Sequence, residues 1–172
     1  MTNKYFDGIV SATGKTDPAD DDLKAVCTKA AAKAKERMDS MHMADAVSEV
    51  FNVFRRCNKY IDETTPWVLA KDEESKDRLS EVLYNLVEGI CIGANLLKPF
   101  MPETSGKILK MLCANERDFK QLSEFGSYVS GTKVTDTPEV LFARLKMEDV
   151  MAEVEKIREA QRAEYERENQ TA

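Results

Sequence analysis

Apolar positions recur at helical spacing along most of the chain. Across about residues 20–39 they are Leu23, Val26, Cys27, Ala30, Ala34 and Met38, which share one face of a helix. Asp17-Pro18 supplies its start, and alanine on that face predicts a closely packed neighbour. Residues 44–62 repeat the pattern with Val47, Val50, Phe51, Phe54, Cys57 and Ile61, and polar Asn58 falls on or beside the stripe. The strongest helix is predicted over 77–97, where Leu79, Val82, Leu83, Leu86, Val87, Ile90, Ala94 and Leu97 align while Tyr84, Ile92 and Leu96 lie off the line. Apolar residues on more than one side predict a central helix covered by several others. Gly89 and Gly93, four residues apart, give a neighbour room to approach.

The remaining segments are shorter. Asn3 to Phe6 reads as the end of a helix stopped by Gly8, and residues 11–17 as a loop. Pro99 and Pro102 make a stiff corner before a helix over 103–112 with Ile108, Leu109 and Leu112 inward. Residues 114–145 are looser, broken by Gly126, Gly131 and Pro138, with Lys133-Val134-Thr135 at most a short strand. Phe142 and Leu145 are expected to return and fill the bundle. A charged helix follows from Met147 to about Arg167, with a thin seam of Val150, Val154 and Ile157. The expectation is an all-α helix bundle over residues 1–146 with a C-terminal charged helix or linker over 147–172.

Composition narrows what this bundle does. With 172 residues, 42% apolar and 33% charged, it is a soluble helical domain with a proper core. The best apolar run, Leu86 to Leu97, is interrupted by Glu88, Gly89 and Asn95, and the start lacks a signal-peptide pattern, so no membrane partner and a cytoplasmic location are expected. Four cysteines never form Cys-x-x-Cys and His42 is the lone histidine, which leaves no metal site; His42 is read as solvent-facing or capping. Cys27 and Cys91 are expected as buried, reduced thiols. No glycine-rich phosphate loop precedes a helix, and one histidine builds no nucleophilic triad. No catalytic residue and no cofactor are expected.

The net charge of −6 argues against a general nucleic-acid coat. Residues 147–172 hold 8 acids and 4 bases, which leaves 23 acids against 21 bases in the body. A near-neutral body suits binding one RNA loop by stacking and a few local cations.

One stretch concentrates the chemistry suited to that. In Asn58-Lys59-Tyr60-Ile61-Asp62-Glu63-Thr64-Thr65-Pro66-Trp67, a helix ends and another begins: Thr65 is placed to cap the free amides and Pro66 to take the first helical position. Trp67, the only tryptophan, then sits in a first turn where its indole either lies flat on the surface or wedges two helices apart. Asn58 either bonds the backbone of the Thr64–Trp67 turn or meets RNA directly. Arg55, Arg56, Lys59 and Lys71 are the nearby cations.

The wording of this stretch, with Pro66-Trp67 and Lys71 after it, resembles the anticodon-binding domain of methionyl-tRNA synthetase. Further resemblance lies in Asn3-Lys4-Tyr5-Phe6-Asp7-Gly8, in Leu97-Lys98-Pro99-Phe100-Met101-Pro102-Glu103-Thr104-Ser105, and in Gly131-Thr132-Lys133-Val134 followed by Leu141-Phe142-Ala143-Arg144-Leu145. The blocks come in the family's order. The resemblance implies an α-helical bundle that binds the anticodon loop of methionine tRNA, with the catalytic domain of the same synthetase as its partner. It also implies that Trp67 stacks on an anticodon base. The nucleic-acid candidates are therefore Trp67, Asn58, Lys59, Arg55, Arg56 and Pro66.

Two family features fall outside the sequence. The family's other main anticodon readers, an Asn and an Arg, lie on the helix before the Asn3 block, and many members continue past the charged helix into an oligonucleotide-binding fold. Ala143 stands where the family usually has Pro. The expectation is a portion of a longer enzyme, catalytically silent alone, or a free-standing paralogue. An apolar face near Tyr5 and Phe6 left uncovered predicts a weak homodimer. The rival reading is a non-catalytic protein-interaction module that has lost RNA binding.

Overall fold

The structure is a computed structural model that describes residues 1–170. Residues 171 and 172, the end of the expected 147–172 segment, lie outside the described residues. It opens with α1 (Thr2–Phe6), stopped by Asp7 and Gly8, both at positive φ. β1 (Ile9–Val10) and a loop lead into α2 (Pro18–Asp39). Asp17 starts that helix by a capping box: its carboxylate accepts from the Ala19 amide at 3.0 Å, and Asp20 accepts from the Asp17 amide at 3.0 Å. α3 (Met43–Thr64), the short α4 (Pro66–Leu69) and α5 (Lys76–Leu97) follow, then α6 (Pro102–Met111).

α5 is the axis of the bundle. Eighteen of its residues are buried, so it cannot be a one-sided amphipathic helix. One flank packs with Leu23 and Cys27 of α2 and Val50, Val53 and Tyr60 of α3. The opposite flank, through Tyr84, Val87 and Cys91, meets Val10, Tyr128 and Val134. Helix contact is close where glycine allows it: a Cβ at Gly89 would lie 2.9 Å from Cys57 Sγ, and one at Gly93 would lie 2.8 Å from the Phe54 ring.

The short strand suggested near Lys133 exists as β2 (Thr132–Lys133), and its partner is β1, antiparallel, with Ile9 opposite Lys133 and Val10 opposite Thr132. Two carboxylates of α5 hold the irregular segments on this side. Glu81 accepts from the Thr13 and Gly14 amides at 2.7 and 2.8 Å. Glu88, fully buried, pairs with both terminal nitrogens of Arg117 and accepts from the amides of Gly126, Ser127 and Tyr128 at 2.9, 3.1 and 3.0 Å.

Two expectations are corrected. The inward face of α3 is centred on Ala46, Val50, Val53, Cys57 and Tyr60, whereas Phe51 is 37% exposed and Val47 and Ile61 are half-buried. Tyr60 goes inside because its hydroxyl finds Asp20 there, and Arg56 because Asp22 and Glu63 offset its charge, an arrangement that apolar spacing alone does not register. Phe142 and Leu145 do not fill the bundle; they are 65% and 78% exposed. The chain divides into two compact units, Met1–Glu139 and a second that begins at Val140, and both residues belong to the second. Within that unit, α7 (Met147–Gln170) has only Val150 and Val154 half-buried among its described side chains, and Ile157 is exposed.

Cys27, Cys57 and Cys91 are buried free thiols, and Cys113 is exposed. No described helix is long and apolar enough to cross a membrane.

Candidate nucleic-acid interface

The interface is built at the corner between α3 and α4. Thr65 ends α3 in the left-handed region, φ 42° and ψ 59°, and its amide donates to Ile61 O at 3.0 Å. For a β-branched residue that conformation is strained and persists only where its surroundings fix it. The expected hydroxyl cap is absent: Thr65 makes no side-chain cap bond, and its carbonyl instead accepts from the Val68 amide at 2.7 Å. A left-handed residue turns the chain so sharply that the carbonyl serves where the hydroxyl would have. Pro66 is buried at the first position of α4. Trp67 and Val68 follow on the surface, 46% and 52% exposed. Trp67 makes no hydrogen bond, aromatic or cation–π contact among the described residues, and nearly half of it is open to solvent.

A buried polar network fixes the corner from behind. Tyr60, one turn before Thr64, is fully buried and donates its hydroxyl to Asp20 Oδ1 at 2.6 Å. Arg78 of α5 grips both oxygens of the same carboxylate at 2.8 and 2.6 Å, and Asn85 donates to the Tyr60 hydroxyl at 3.3 Å. Burial pushes the Asp20 carboxyl up, but the hydrogen bonds from Arg78, Tyr60 and the Asp17 amide outweigh it and hold the group below its ordinary 3.8. The Thr64 hydroxyl also donates to the Tyr60 carbonyl at 2.7 Å. The starts of α2 and α5 are thereby tied to the end of α3, and Trp67 is presented from a rigid base.

The structure separates the candidate residues into two groups. Arg55, Asn58 and Lys59 lie on successive turns of α3 leading to the corner, with Asn58 and Lys59 exposed, and Lys71 is exposed beyond it. Arg55 is held by Asn52 Oδ1 at 2.5 Å and Ser48 O at 3.1 Å, and Lys59 lies 3.5 Å from Glu63. Asn58 has no side-chain hydrogen bond among the described residues, which overturns the expectation that it bonds the Thr64–Trp67 backbone. At the surface, water satisfies its amide, and so could a base edge. Arg56 and Pro66 are not on this surface. The Arg56 side chain is 7% exposed, bonds Glu63 at 2.8 Å through Nη2 and lies 3.3 Å from Asp22 through Nε. With Asp62 and Glu63 beside Lys59 and Arg55, the approach to Trp67 is close to neutral. Stacking and edge hydrogen bonds, not bulk charge, are what this arrangement offers.

Pattern reading missed the network behind the corner. Asp20, three residues after Asp17, carried a capping signal, but nothing in the polar first turn of α5 marked Arg78 as the residue that would clamp it.

Known proteins resemble the chain over most of its length. Residues 10–163 match the family described as the anticodon binding domain of methionyl tRNA ligase. A methionine–tRNA ligase of Clostridium perfringens is 39% identical over 160 residues, covering 93% of this chain and 25% of that protein. One of Caldanaerobacter subterraneus is 40% identical over 158 residues, 91% of this chain and 24% of that protein. The apo crystal structure of Mycobacterium tuberculosis methionyl-tRNA synthetase superposes with a TM-score of 0.77 at 30% identity, covering 85% of this chain and 30% of that one. The chain thus spans about a quarter of the length of these curated relatives. Because the family match takes in nearly the whole bundle and continues into α7, the chain belongs to the anticodon-binding domain family of methionyl-tRNA ligases.

Proposed function

We propose that this domain holds the anticodon loop of methionine tRNA in the cytoplasm, while the catalytic domain of the same synthetase ligates methionine to the acceptor end. The observation that carries the reading is Trp67: a lone indole, 46% exposed, unpartnered among the described residues, on a corner braced by a buried ion pair. An unstacked base laid on such a ring contributes roughly 1–3 kcal/mol. Asn58, with one donor and one acceptor group free, suits a base edge, and Arg55 and Lys59 suit neighbouring phosphates. The balanced charge supports selectivity for a loop over indiscriminate RNA binding. A weak, concentration-dependent dimer completes the proposal, and sedimentation showing a monomer at all concentrations would remove that part.

The test is Trp67→Ala against an anticodon stem–loop of methionine tRNA. Affinity should fall by about 5- to 150-fold, the same energy range as a ratio, with an unchanged circular dichroism spectrum. Trp67→Phe should lose less. Full affinity in Trp67→Ala, or a loss that comes only with unfolding, would make Trp67 structural and the reading wrong.

A further inference from the structure

The single residue Thr65 joins α3 to α4, and its backbone decides the direction in which α4 leaves the bundle. Pro66, Leu69 and Ala70 share one face of α4 at helical spacing. Pro66 is buried and the other two pack against the core, so this face is the anchor. Trp67 and Val68 are carried outward, 46% and 52% exposed. The heading that Thr65 gives α4 is therefore the heading of the indole.

The conformation that sets this heading is an unfavourable one for threonine. At φ 42° and ψ 59° the Cβ is crowded by the carbonyl oxygen, and a β-branched side chain is stiff against that crowding. Glycine, or less often Asn, is the usual residue at such a helix stop. The usual stop also takes a second bond from the amide of the following residue, which here is Pro66 and has no N–H. The Thr65 hydroxyl caps nothing. The surroundings hold the residue in place. Its amide donates to Ile61 O at 3.0 Å, its carbonyl accepts from the Val68 amide at 2.7 Å, Thr64 is tied back to the Tyr60 carbonyl, and Pro66 is seated in the interior.

Strain of this kind persists only where the fold over-determines it, and this strained residue stands two positions before an exposed aromatic. We infer that Thr65 is a positioning residue for anticodon recognition: its left-handed backbone fixes the plane that Trp67 offers to a base. The inference rests on the stacking role of Trp67 and explains why threonine stands where glycine would be more stable. Glycine would relieve the strain but free the joint to visit both signs of φ. The indole would then have to be ordered at each encounter with RNA.

The test uses the full chain, and its signature is a variant that gains stability while losing affinity. Thr65→Gly should raise Tm by about 1–4 °C with an unchanged circular dichroism spectrum. Time-resolved fluorescence anisotropy of Trp67, the only tryptophan, should gain a fast component. Affinity for the anticodon stem–loop should fall by about 3- to 10-fold, part of the cost of ordering one backbone residue. Thr65→Val keeps the β-branch and drops only a hydroxyl that caps nothing, so its anisotropy and affinity should match the wild type. A Thr65→Gly chain with wild-type anisotropy and affinity would overturn the inference, and so would one that melts below the wild type. Trp67→Ala, run beside these, separates the two levels. If it loses affinity while Thr65→Gly does not, the positioning role fails and the stacking role stands; if it too keeps full affinity, both fail.

Discussion

The contact of Gly89 with the two sulfurs sets up a sharp test of how closely the bundle is packed. An alanine Cβ there would sit 2.9 Å from Cys57 Sγ and 3.4 Å from Cys27 Sγ, where α5 meets α2 and α3. Gly→Ala in a helix interior is otherwise favourable by about 1 kcal/mol. Forcing a methyl into a filled core costs about 1–3 kcal/mol. Both sulfurs belong to buried cysteines of neighbouring helices, Cys57 4% and Cys27 0% exposed, so making room displaces packed core atoms and puts the cost in the upper part of that range. Taking about 2–3 kcal/mol for the packing cost, the net expectation is a loss of about 1–2 kcal/mol for Gly89→Ala, a drop of about 2–8 °C in Tm for a domain of this size. At Gly106, on α6, a Cβ would meet nothing within 4 Å, so Gly106→Ala should gain the helix propensity of alanine and raise Tm by about 1–4 °C. Adding Cys57→Ala to Gly89→Ala removes the closest clash, and the pair should be less destabilising than the sum of the single changes. Urea unfolding of these variants measures all of this. If Gly89→Ala matches or exceeds the wild type while Gly106→Ala gains as expected, the claim that the glycine seats α5 against the two cysteines fails.

Other outcomes follow from groups already described. Asp20→Asn leaves the Arg78 guanidinium, 19% exposed, without its counter-ion and should cost about 3 kcal/mol in urea unfolding. Because the folded Asp20 carboxyl lies below its ordinary 3.8, its contribution is full above that value and is lost as pH falls through the lower folded value; wild-type stability should therefore drop more steeply below pH 3.8 than that of Asp20→Asn. Glu88→Gln strands Arg117, whose side chain is 9% exposed, and should cost about 3–5 kcal/mol. A thiol reagent should label Cys113 at once and Cys91 only on unfolding, since burial pushes the Cys91 thiol up to about 12. Incubated with methionine, ATP and tRNA, the chain alone should form no methionyl-adenylate above a blank.

The helices were legible because their apolar spacing is dense. α5 could be read as central from Tyr84, Ile92 and Leu96 lying off its main stripe, and those three are buried. The Thr-Pro-Trp corner was legible too, since proline marks a helix start. What could not be read was anything set by which polar and backbone partners the fold brings together. Phe51 looked more suited to the core than Arg56, yet Glu63 and Asp22 draw Arg56 inward and leave Phe51 at 37% exposure. Asn58 looked like a turn bracket, but the left-handed Thr65 closes the turn with its own carbonyl. The pairing of β1 with β2 joins residues more than a hundred positions apart, and two-residue strands carry no period to detect.

Glu88 holds its loop by amides, and that choice of atoms governs which changes the loop survives. Its two oxygens take three backbone N–H groups and one guanidinium, so they recognise the course of the chain and not the side chains of Ser127 or its neighbours. Substitutions that keep an amide at position 127 leave the anchor untouched, whatever their size or polarity. Proline there deletes one of the three amide donors and should loosen the segment. The loop is thus open to drift in sequence while closed to drift in path: a single buried carboxylate does for this irregular backbone what a strand partner does for a sheet.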